Sequence, residues 1–333
     1  MAAVSPSYND LIKKHVSASR HKTGAVLRFD GIGDKDIYNP SIIEDHGKLY
    51  IAARVESRNS DWMLEDQYDP QVIFFEKQQY GPWVPAKNAP VFGPMEDPHA
   101  TWIHDENGKK KLIFGGVILE RTSNPPTYIT VFYKGDSIFT LEKEPFAQVR
   151  MMKDIRLVER IHKKEIIICT RPMINGFHTG RIGVTRIEKL SDLATVDLEQ
   201  ATLNLNQVAQ GTWLGSNRLY LIEDKQTRKE KIGVLGHIAT VDPDNMQHYA
   251  AMVFTFDADK AFDSEQADII PRVIAVREDF EDAPAKLPTL KDVVFPAGLE
   301  HLDTGMVKLY TGLSDSRIGT ILIPDPFHTE RSA

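Results

Sequence analysis

Residues 36–56 read DIYNPSIIEDHGKLYIAARVE, two apolar runs separated by the polar turn EDHGK. Apolar runs rich in β-branched and aromatic residues, on either side of a turn with Asp and Gly, are typical of a β-hairpin. Asn39 precedes Pro40, and a residue before proline is disfavoured in helix. This stretch therefore predicts two antiparallel strands, with an extended backbone at Asn39.

The same hairpin plan recurs four more times. The further copies are MEDPHATWIHDENGKKKLIFGGV at 95–117, KDIRLVERIHKKEIIICTRP at 153–172, GTWLGSNRLYLIEDKQTRKEKIGVLGHIA at 211–239 and VVFPAGLEHLDTGMVKLYTGLSD at 293–315. Corresponding positions lie 58 residues apart from Asn39 to Asp97, 57 to Asp154, 60 to Leu214 and 82 to Pro296. A repeat near 60 residues, with about four strands per unit, is typical of a β-propeller. The prediction is an all-β chain that forms a five-bladed β-propeller.

The long last spacing indicates an insertion at about 257–290, where DSEQADII at 263–270 predicts a helical turn. SYNDLIKKHVSA predicts a short helix at 7–18. The domain prediction is an N-terminal segment, 1–29, that packs on one propeller catalytic domain over 30–333. A β-sandwich is the structural alternative, but it does not explain five copies of one hairpin plan.

Charge and composition narrow the classes of function. The formal net charge of −7 argues against a surface for nucleic acid or for an anionic membrane. The N-terminus lacks the apolar core of a signal peptide, and no run approaches the roughly 20 apolar residues of a membrane span. Cys169, the one cysteine, lies in the apolar run EIIICT and predicts an inert buried thiol. We expect a soluble, intracellular, cytoplasmic protein that binds neither nucleic acid nor membrane.

In a propeller the innermost strand of each blade runs beside the central axis, so the starts of these strands meet at one end. The pairs expected to face a shared pocket are Asp36/Asn39, Glu96/Asp97, Asp154/Arg156, Gly215/Ser216 and Phe295/Gly298. A carboxyl group surrounded by aromatic side chains loses water, which raises its pKa and suits a general acid. The Glu–Asp–Pro stretch is a candidate, although two acids in a turn are also explained by simple solvation.

Cations recur through the repeats, and Arg54 and Arg171 each stand at the end of the second strand of their repeat. They are Arg54, Arg156, Arg160, Arg171, Arg181 and His237. Each alone is more often a surface or ion-pairing residue, and Arg54 could pair with Glu56. Several around one mouth indicate bound phosphate, because the guanidinium fork matches phosphate oxygens. The sequence has no HExxH, Cys/His cluster, EF-hand loop or P-loop, so we predict no metal site.

Five segments carry a family resemblance: YNPSII…LYIAARVE, EDPHATWI, RP…GRIGV, VLGHIA and VVFPAGLE…LYTGLSD. In this order, over about residues 30–320, they resemble the inverting β-mannoside phosphorylases. They resemble more closely the related β-1,2-mannan phosphorylase/mannosyltransferase family, formerly a domain of unknown function. The resemblance implies a five-bladed propeller that makes or phosphorolyses β-1,2-mannosides. It implies no cofactor, with inorganic phosphate as a substrate and mannose 1-phosphate, GDP-mannose and β-mannan oligosaccharides as partners.

The resemblance also implies residue roles. Asp97 is the catalytic acid in phosphorolysis and the base in synthesis. The residues implied for phosphate or donor binding are Arg54, Arg171, Arg181 and His237. Those implied for sugar binding are Asn39, Glu96, Asp36, Asp154, Trp213 and Asp315. Phosphate is the nucleophile, so no second carboxylate has to activate water, in contrast to an inverting hydrolase.

One position departs from the phosphorylase pattern. His99 stands where those enzymes usually carry an arginine after Glu–Asp–Pro. The replacement leaves open which mannosyl donor the protein uses. Two other functions stay open. One is a propeller hydrolase with Asp97 as acid and Asp36, Asp154 or Glu300 as base. The other is a non-catalytic carbohydrate-binding propeller, whose mouth would lack an acid combined with phosphate-binding cations.

Overall fold

The computed structural model describes residues 5–18, 24–61, 64–121, 127–174, 177–178, 180–203, 207–223, 229–260, 262 and 269–328. Strands dominate these ranges, which confirms the all-β prediction. The predicted N-terminal helix is present as α1 (Tyr8–Ala18). Short 3-10 turns occupy Glu65–Gln67, Ile138–Thr140, Leu190–Ala194, Leu198–Gln200, Arg277–Asp279 and Pro288–Leu290.

The strands form successive antiparallel sets of four. The short β1 (Ala25–Val26) precedes the first set, which contains β2 (Asp36–Asp45), β3 (Lys48–Glu56), β4 (Gln71–Lys77) and β5 (Trp83–Pro85). The second set contains β6 (Glu96–His104), β7 (Lys110–Glu120), β8 (Thr127–Gly135) and β9 (Ala147–Arg150). The third set contains β10 (Arg156–Arg160), β11 (Glu165–Thr170), β14 (Gly183–Ile187) and β15 (Thr202–Leu203). Between β11 and β14 the chain forms a separate two-stranded pair, β12 (Met173–Ile174) and β13 (Phe177–His178).

The last two sets share one sheet. The fourth contains β16 (Thr212–Glu223), β17 (Glu230–Val241), β18 (Gln247–Asp257) and β19 (Arg272–Ala275). The fifth contains β20 (Asp292–His301), β21 (Met306–Leu313) and β22 (Arg317–Pro324), with β1 added to the outer edge of β22. A short parallel pairing of β18 with β20 joins the two sets.

All five predicted hairpins are present as the first two strands of each set. In the first, Asp45 pairs with Lys48, which leaves His46 and Gly47 as a two-residue turn. Their φ values are 50° and 71°, as a type I′ hairpin turn requires. The sequence EDHGK therefore forms its turn because glycine accepts the left-handed backbone that the tight connection needs.

Apolar clusters fill the spaces between neighbouring sets. One joins the first and second sets, and others join the second to the third, the third to the fourth and the fourth to the fifth. A fifth cluster packs β2 to β5 against β20 to β22, with Ile42, Phe75 and Tyr310 among its members. The first strands follow the same order of contact, and β20 also contacts β2. Their starts are thereby brought together.

The N-terminal helix packs on the fourth set. Tyr8 and Leu11 join the cluster between the third and fourth sets, and α1 contacts β17 and β19. Within the predicted insertion, residues 272–275 form β19, so part of it is the outer strand of a sheet. The helical turn predicted at 263–270 falls mostly on 263–268, outside the described residues. The division into 1–29 and 30–333 stays a prediction.

Cys169 is fully buried on β11, as predicted, and burial raises the pKa of its thiol. Across the residues that the structure describes, no helix combines the length and apolar character needed to cross a membrane.

Candidate active site

A cavity of about 900 Å³ opens where the starts of the first strands meet. Its charged and amide lining includes Asn39, Arg54, Arg58, Glu96, Asp97, Lys153, Lys286 and Asp315. Its aromatic and aliphatic lining comprises Tyr38, Val117, Leu119, Tyr128, Tyr249, Leu287, Leu290, Val293 and Phe295. This size and mixture are typical of a small-molecule site, with apolar walls and a few convergent polar groups.

Asn39 and Asp97 occupy equivalent places in β2 and β6. Both have a left-handed backbone, with φ of 44° and 48°, and the strand pairing shifts register across each of them. Such β-bulges re-aim a side chain and are common beside active sites. Asn39 Nδ2 donates a hydrogen bond of 2.9 Å to Asp97 Oδ1. The extended backbone predicted for Asn39 before Pro40 is therefore wrong, because the bulge places Asn39 in the left-handed region.

Arg54 joins three carboxylates at one side of the cavity. Its Nη2 lies 3.0 Å from Glu56 Oε2 and 3.0 Å from Glu96 Oε1, and its Nη1 lies 4.0 Å from Asp97 Oδ1. The guanidinium also lies over the Tyr38 ring, 5.0 Å from its centroid. Burial opposes its charge, but the carboxylates raise the pKa of Arg54 above its ordinary value. Arg54 is thus a permanent cation whose charge the carboxylates already offset.

The pKa values of two acidic groups of the cavity are shifted in opposite directions. Burial opposes ionisation of Glu96, but Arg54, Lys153 and a 2.7 Å hydrogen bond from Tyr68 Oη hold its pKa below the ordinary value. Asp315, in the turn between β21 and β22, behaves oppositely. Burial, aided by the negative charge of Asp97, raises the pKa of Asp315 to about 6. The Asp97 side chain itself is 19% exposed.

Two cations lie towards the third set. Lys153 Nζ sits over the Tyr128 ring, 4.9 Å from its centroid, and 3.9 Å from Glu96 Oε2. Arg171 Nη1 pairs with Asp154 Oδ2 at 2.8 Å, and this pairing outweighs burial and holds the pKa of Asp154 below its usual range. Among the residues that the structure describes, none is a hydrogen-bond partner of the buried Arg171 Nε atom. A buried donor of this kind is suited to an anionic ligand.

His237 lies behind the cavity wall rather than on it. Its Nδ1 is 2.9 Å from Asn217 Oδ1, its Nε2 is 3.9 Å from Asp154 Oδ2, and its ring lies 5.4 Å from Tyr249 and 5.1 Å from Phe295. Burial, together with nearby arginines, lowers the pKa of His237 to about 4. A pKa this low corresponds to a neutral imidazole at pH 7, and the role of His237 in donor binding stays a prediction.

Arg181 is buried away from the cavity lining. Its guanidinium donates to main-chain carbonyls, at 2.7 Å to Thr212 and Val208 and at 3.2 Å to Gly180. Burial lowers its pKa. The arrangement holds the loop before β16 in place, and a role of Arg181 in donor binding stays a prediction.

Three other predicted residues lie next to the cavity. Asp36 pairs with Arg58 at 2.7 Å and with Arg317 at 3.1 Å, and burial raises its pKa. Trp213 packs edge-on against Tyr249, at 5.7 Å between ring centroids. Asp36, Trp213, Asp154 and Arg171 do not belong to the lining, whereas Asn39, Arg54, Glu96, Asp97 and Asp315 do.

His99 is buried between β6 and β7. Its ring meets Phe132 edge-on at 5.4 Å, and a Cβ added at Gly115 would lie 2.5 Å from its Nε2. Burial keeps the pKa of His99 well below its ordinary value. The side chain that replaces the phosphorylase arginine therefore fills the space behind the strand, off the cavity lining.

Sequence reasoning missed several lining residues, among them Tyr38, Lys153, Tyr249 and Lys286. One of them carried a signal: Lys153 precedes Asp154 as Glu96 precedes Asp97 in the repeat. Lys286 lies in the insertion, where no repeat position marks it. Among the described residues, no group of three or more His, Cys, Asp or Glu side chains is arranged to hold a metal ion.

Solved structures identify the class of fold. MPT-4, a mannose phosphorylase from Leishmania mexicana solved with a phosphate ion, has a TM-score of 0.80 at 24% identity, over 97% of this chain and 94% of that one. MPT-1, a GDP-Man-dependent mannosyltransferase from the same organism, has a TM-score of 0.79 at 24% identity, over 96% and 95%. The β-1,2-mannobiose phosphorylase from Listeria innocua has a TM-score of 0.55 at 12% identity, over 95% of both chains. The chain has the fold of these enzymes.

The family follows from the sequence. Residues 14–329 match the family described as "Protein of unknown function (DUF1861)", and the chain belongs to it. A comparison with curated protein sequences gave no match.

Proposed function

We propose that this protein is an inverting mannosyl-transfer enzyme that makes or phosphorolyses β-1,2-mannosides, with mannose 1-phosphate or GDP-mannose as donor. The observation that carries the proposal is the setting of Asp97. This partly exposed carboxylate lies on a strained bulge in a 900 Å³ cavity, bonded to Asn39 and 4.0 Å from Arg54. The shared fold with mannose phosphorylases and a mannosyltransferase supports the same substrate class.

In phosphorolysis, Asp97 donates its proton to the leaving glycosidic oxygen, directly or through a sugar hydroxyl. Phosphate attacks the anomeric carbon from the opposite face, the C1–O bond to the leaving sugar breaks, and mannose 1-phosphate forms with inversion. In synthesis Asp97 takes the proton of the acceptor hydroxyl while phosphate or GDP departs. Asn39 orients the carboxylate in both directions, which is what a positioned acid/base requires.

The donor phosphate is proposed to bind near Lys153 and Arg171. Lys153 lines the cavity and Arg171 lies behind it at the third set, where its Nε has no hydrogen-bond partner within the described ranges. Asp154 and neutral His237 hold Arg171 from behind and are not direct ligands. Arg54 is assigned to Glu96 and Asp97 rather than to phosphate. The sugar is proposed to meet Asn39, Glu96 and Asp315 on the other side.

We also propose that the sets form a five-bladed propeller over 30–333, with 1–29 packed against it. Five apolar clusters, including one between the last and first sets, support a ring. The pairing of β1 with β22 would then tie the first residues of the domain to its last blade. A soluble, cytoplasmic location and the absence of a cofactor stay predictions.

The hypothesis of a propeller hydrolase fits the cavity less well than that of a phosphorylase. Its candidate bases were Asp36, Asp154 and Glu300, and none of the three lines the cavity. Asp36 and Asp154 pair with arginines, while Glu300 accepts from Tyr310 Oη at 2.6 Å. A phosphorylase needs no such base because phosphate is the nucleophile.

Product analysis tests the proposal. The purified protein is incubated with mannose 1-phosphate or GDP-mannose plus mannose, and separately with β-1,2-mannobiose with and without phosphate. Release of phosphate or GDP with a β-linked mannobiose supports transfer. Cleavage of mannobiose without phosphate would identify a hydrolase, and no turnover in any reaction would favour a binding platform.

A further inference from the structure

Glu56, at the end of β3, is a fully buried carboxylate that lies outside the proposed substrate contacts. Its side chain has no exposed surface. It accepts hydrogen bonds from Tyr38 Oη and Lys286 Nζ on one oxygen, and from Arg54 Nε at 3.2 Å and Nη2 at 3.0 Å on the other. A buried carboxylate is stable only when paired, so these donors are interdependent.

Lys286 comes from the segment 281–291, which leads into β20 and borders the cavity through Leu287 and Leu290. The segment is fixed at several points. The Lys286 main-chain N donates to Ser314 O at 3.0 Å, and Arg58 Nη1 donates to Ala285 O at 2.7 Å. The Lys286 side chain is only 9% exposed. Lys286 therefore lines the cavity wall with its charge paired to Glu56.

These contacts form one chain of charges: Lys286 to Glu56, Glu56 to Arg54, and Arg54 to Asp97 and Glu96. With Lys286 present, two cations share the negative charge of Glu56, and Arg54 keeps part of its fork for the cavity carboxylates. Without Lys286, Glu56 would hold Arg54 alone, and the attraction between opposite charges at low dielectric is strong.

We propose that Lys286 is a positioning residue that acts through Glu56 to hold the Arg54 guanidinium against Asp97. This inference rests on the proposed function, in which Asp97 exchanges the proton. Segment 281–291 thereby takes part in organising the reaction centre, although Lys286 does not touch the reacting atoms.

The test compares K286M, K286R, E56Q and the double variant K286M/E56Q. Lys291, exposed in the same segment and away from Glu56, supplies the matched control K291M. We expect K286M to lower kcat about tenfold with less than about a threefold change in donor KM, and K286R to restore most of it. K291M should behave as wild type. In the E56Q background, K286M should have little further effect, since the two residues act in one path.

A second readout does not depend on turnover. The Arg54 Nε–H resonance in 15N spectra, assigned with R54K, should shift in K286M and stay unchanged in K291M. Three results would overturn the proposal. They are a kcat loss in K286M/E56Q equal to the product of the two single losses, a change in donor KM without a change in kcat in K286M, and an Arg54 Nε–H resonance that does not shift in K286M. If wild type catalyses no mannosyl transfer while the resonance still responds to K286M, the proposed function fails and the coupling of Lys286 to Arg54 stands.

Discussion

Asn39 donates its side-chain amide to the Asp97 carboxylate at 2.9 Å, across the boundary between the first and second strand sets. The two residues are 58 positions apart and hold the same place in consecutive repeats. Both use a left-handed backbone to turn their side chains towards the cavity. The repeat therefore supplies both the acid/base candidate and the group that orients it.

Asn39→Ala should lower kcat for mannosyl transfer about 10- to 100-fold, because Asp97 loses its orienting hydrogen bond. Donor KM should change less than kcat. Asn245→Ala is the matched control: Asn245 also has a positive φ, 61°, but lies exposed in the β17–β18 turn. Steady-state kinetics of both variants measure the difference. Equal losses in the two would assign the effect to backbone strain and contradict the role of Asn39.

Substitution of Arg171 should affect phosphate binding, whereas substitution of Arg181 should affect stability. Arg171→Lys should raise KM for phosphate about tenfold or more, since a lysine cannot reproduce the guanidinium fork. Arg181→Lys should leave that KM unchanged and lower the free energy of unfolding by about 1–3 kcal/mol, because buried carbonyls lose donors. Phosphate titration of phosphorolysis and urea denaturation measure the two effects. A raised phosphate KM in Arg181→Lys would return that residue to the donor site.

Restoring the phosphorylase arginine should destabilise this protein. His99→Arg places a longer, permanently charged side chain against Gly115 and Phe132, where the imidazole is neutral. A loss of about 3 kcal/mol or more is expected from the buried unpaired charge. On the same strand, His104→Arg should be tolerated, since His104 is 34% exposed and faces Glu159. A stable His99→Arg protein with altered donor preference would instead support a donor contact at this position.

Asp315 should make stability depend on pH. The pKa of its folded-state carboxyl is raised to about 6, so between about pH 4 and 6 the folded protein binds the proton more tightly than the unfolded chain. The contribution of Asp315 to the free energy of unfolding therefore falls as pH rises through this window. Asp315→Asn removes the penalty and should stabilise the protein by about 1 kcal/mol at pH 8, a value reduced because the side chain is partly exposed and solvent screens its charge.

Near pH 4 the stabilising effect of Asp315→Asn should vanish. Asp303→Asn, in the exposed β20–β21 turn, should alter stability little at either pH. Urea denaturation at both pH values measures these differences. A gain for Asp315→Asn that is equal at pH 4 and pH 8 would contradict the raised pKa.

The hairpins and the meeting of Asn39, Glu96 and Asp97 could be predicted, because the first three repeats each begin with polar residues at spacings of 58 and 57 residues. The conformation at Asn39 could not, since the rule for residues before proline favours extended backbone and the bulge overrides it. The local sequence pattern predicts which residues form strands. A bulge depends on the register of pairing with the neighbouring strand, which the local pattern does not specify.

The sequence also could not predict which partners the cationic side chains find. Arg171 and Arg181 read alike in sequence, each beside strand residues, yet one pairs with Asp154 near the cavity and the other binds carbonyls behind it. Which partner a buried guanidinium finds depends on tertiary packing. The protonation of His237 likewise depends on burial that no local motif reveals.

The central claim is that Asp97 transfers the proton during mannosyl transfer. Its most direct test is the rate of phosphate release from mannose 1-phosphate in the presence of mannose, for wild type and Asp97→Asn, with circular dichroism to verify folding. We expect wild type to form β-linked mannobiose and Asp97→Asn to be slower by about a thousandfold or more, as for loss of an essential acid/base. A folded Asp97→Asn protein that retains the wild-type rate would contradict the account.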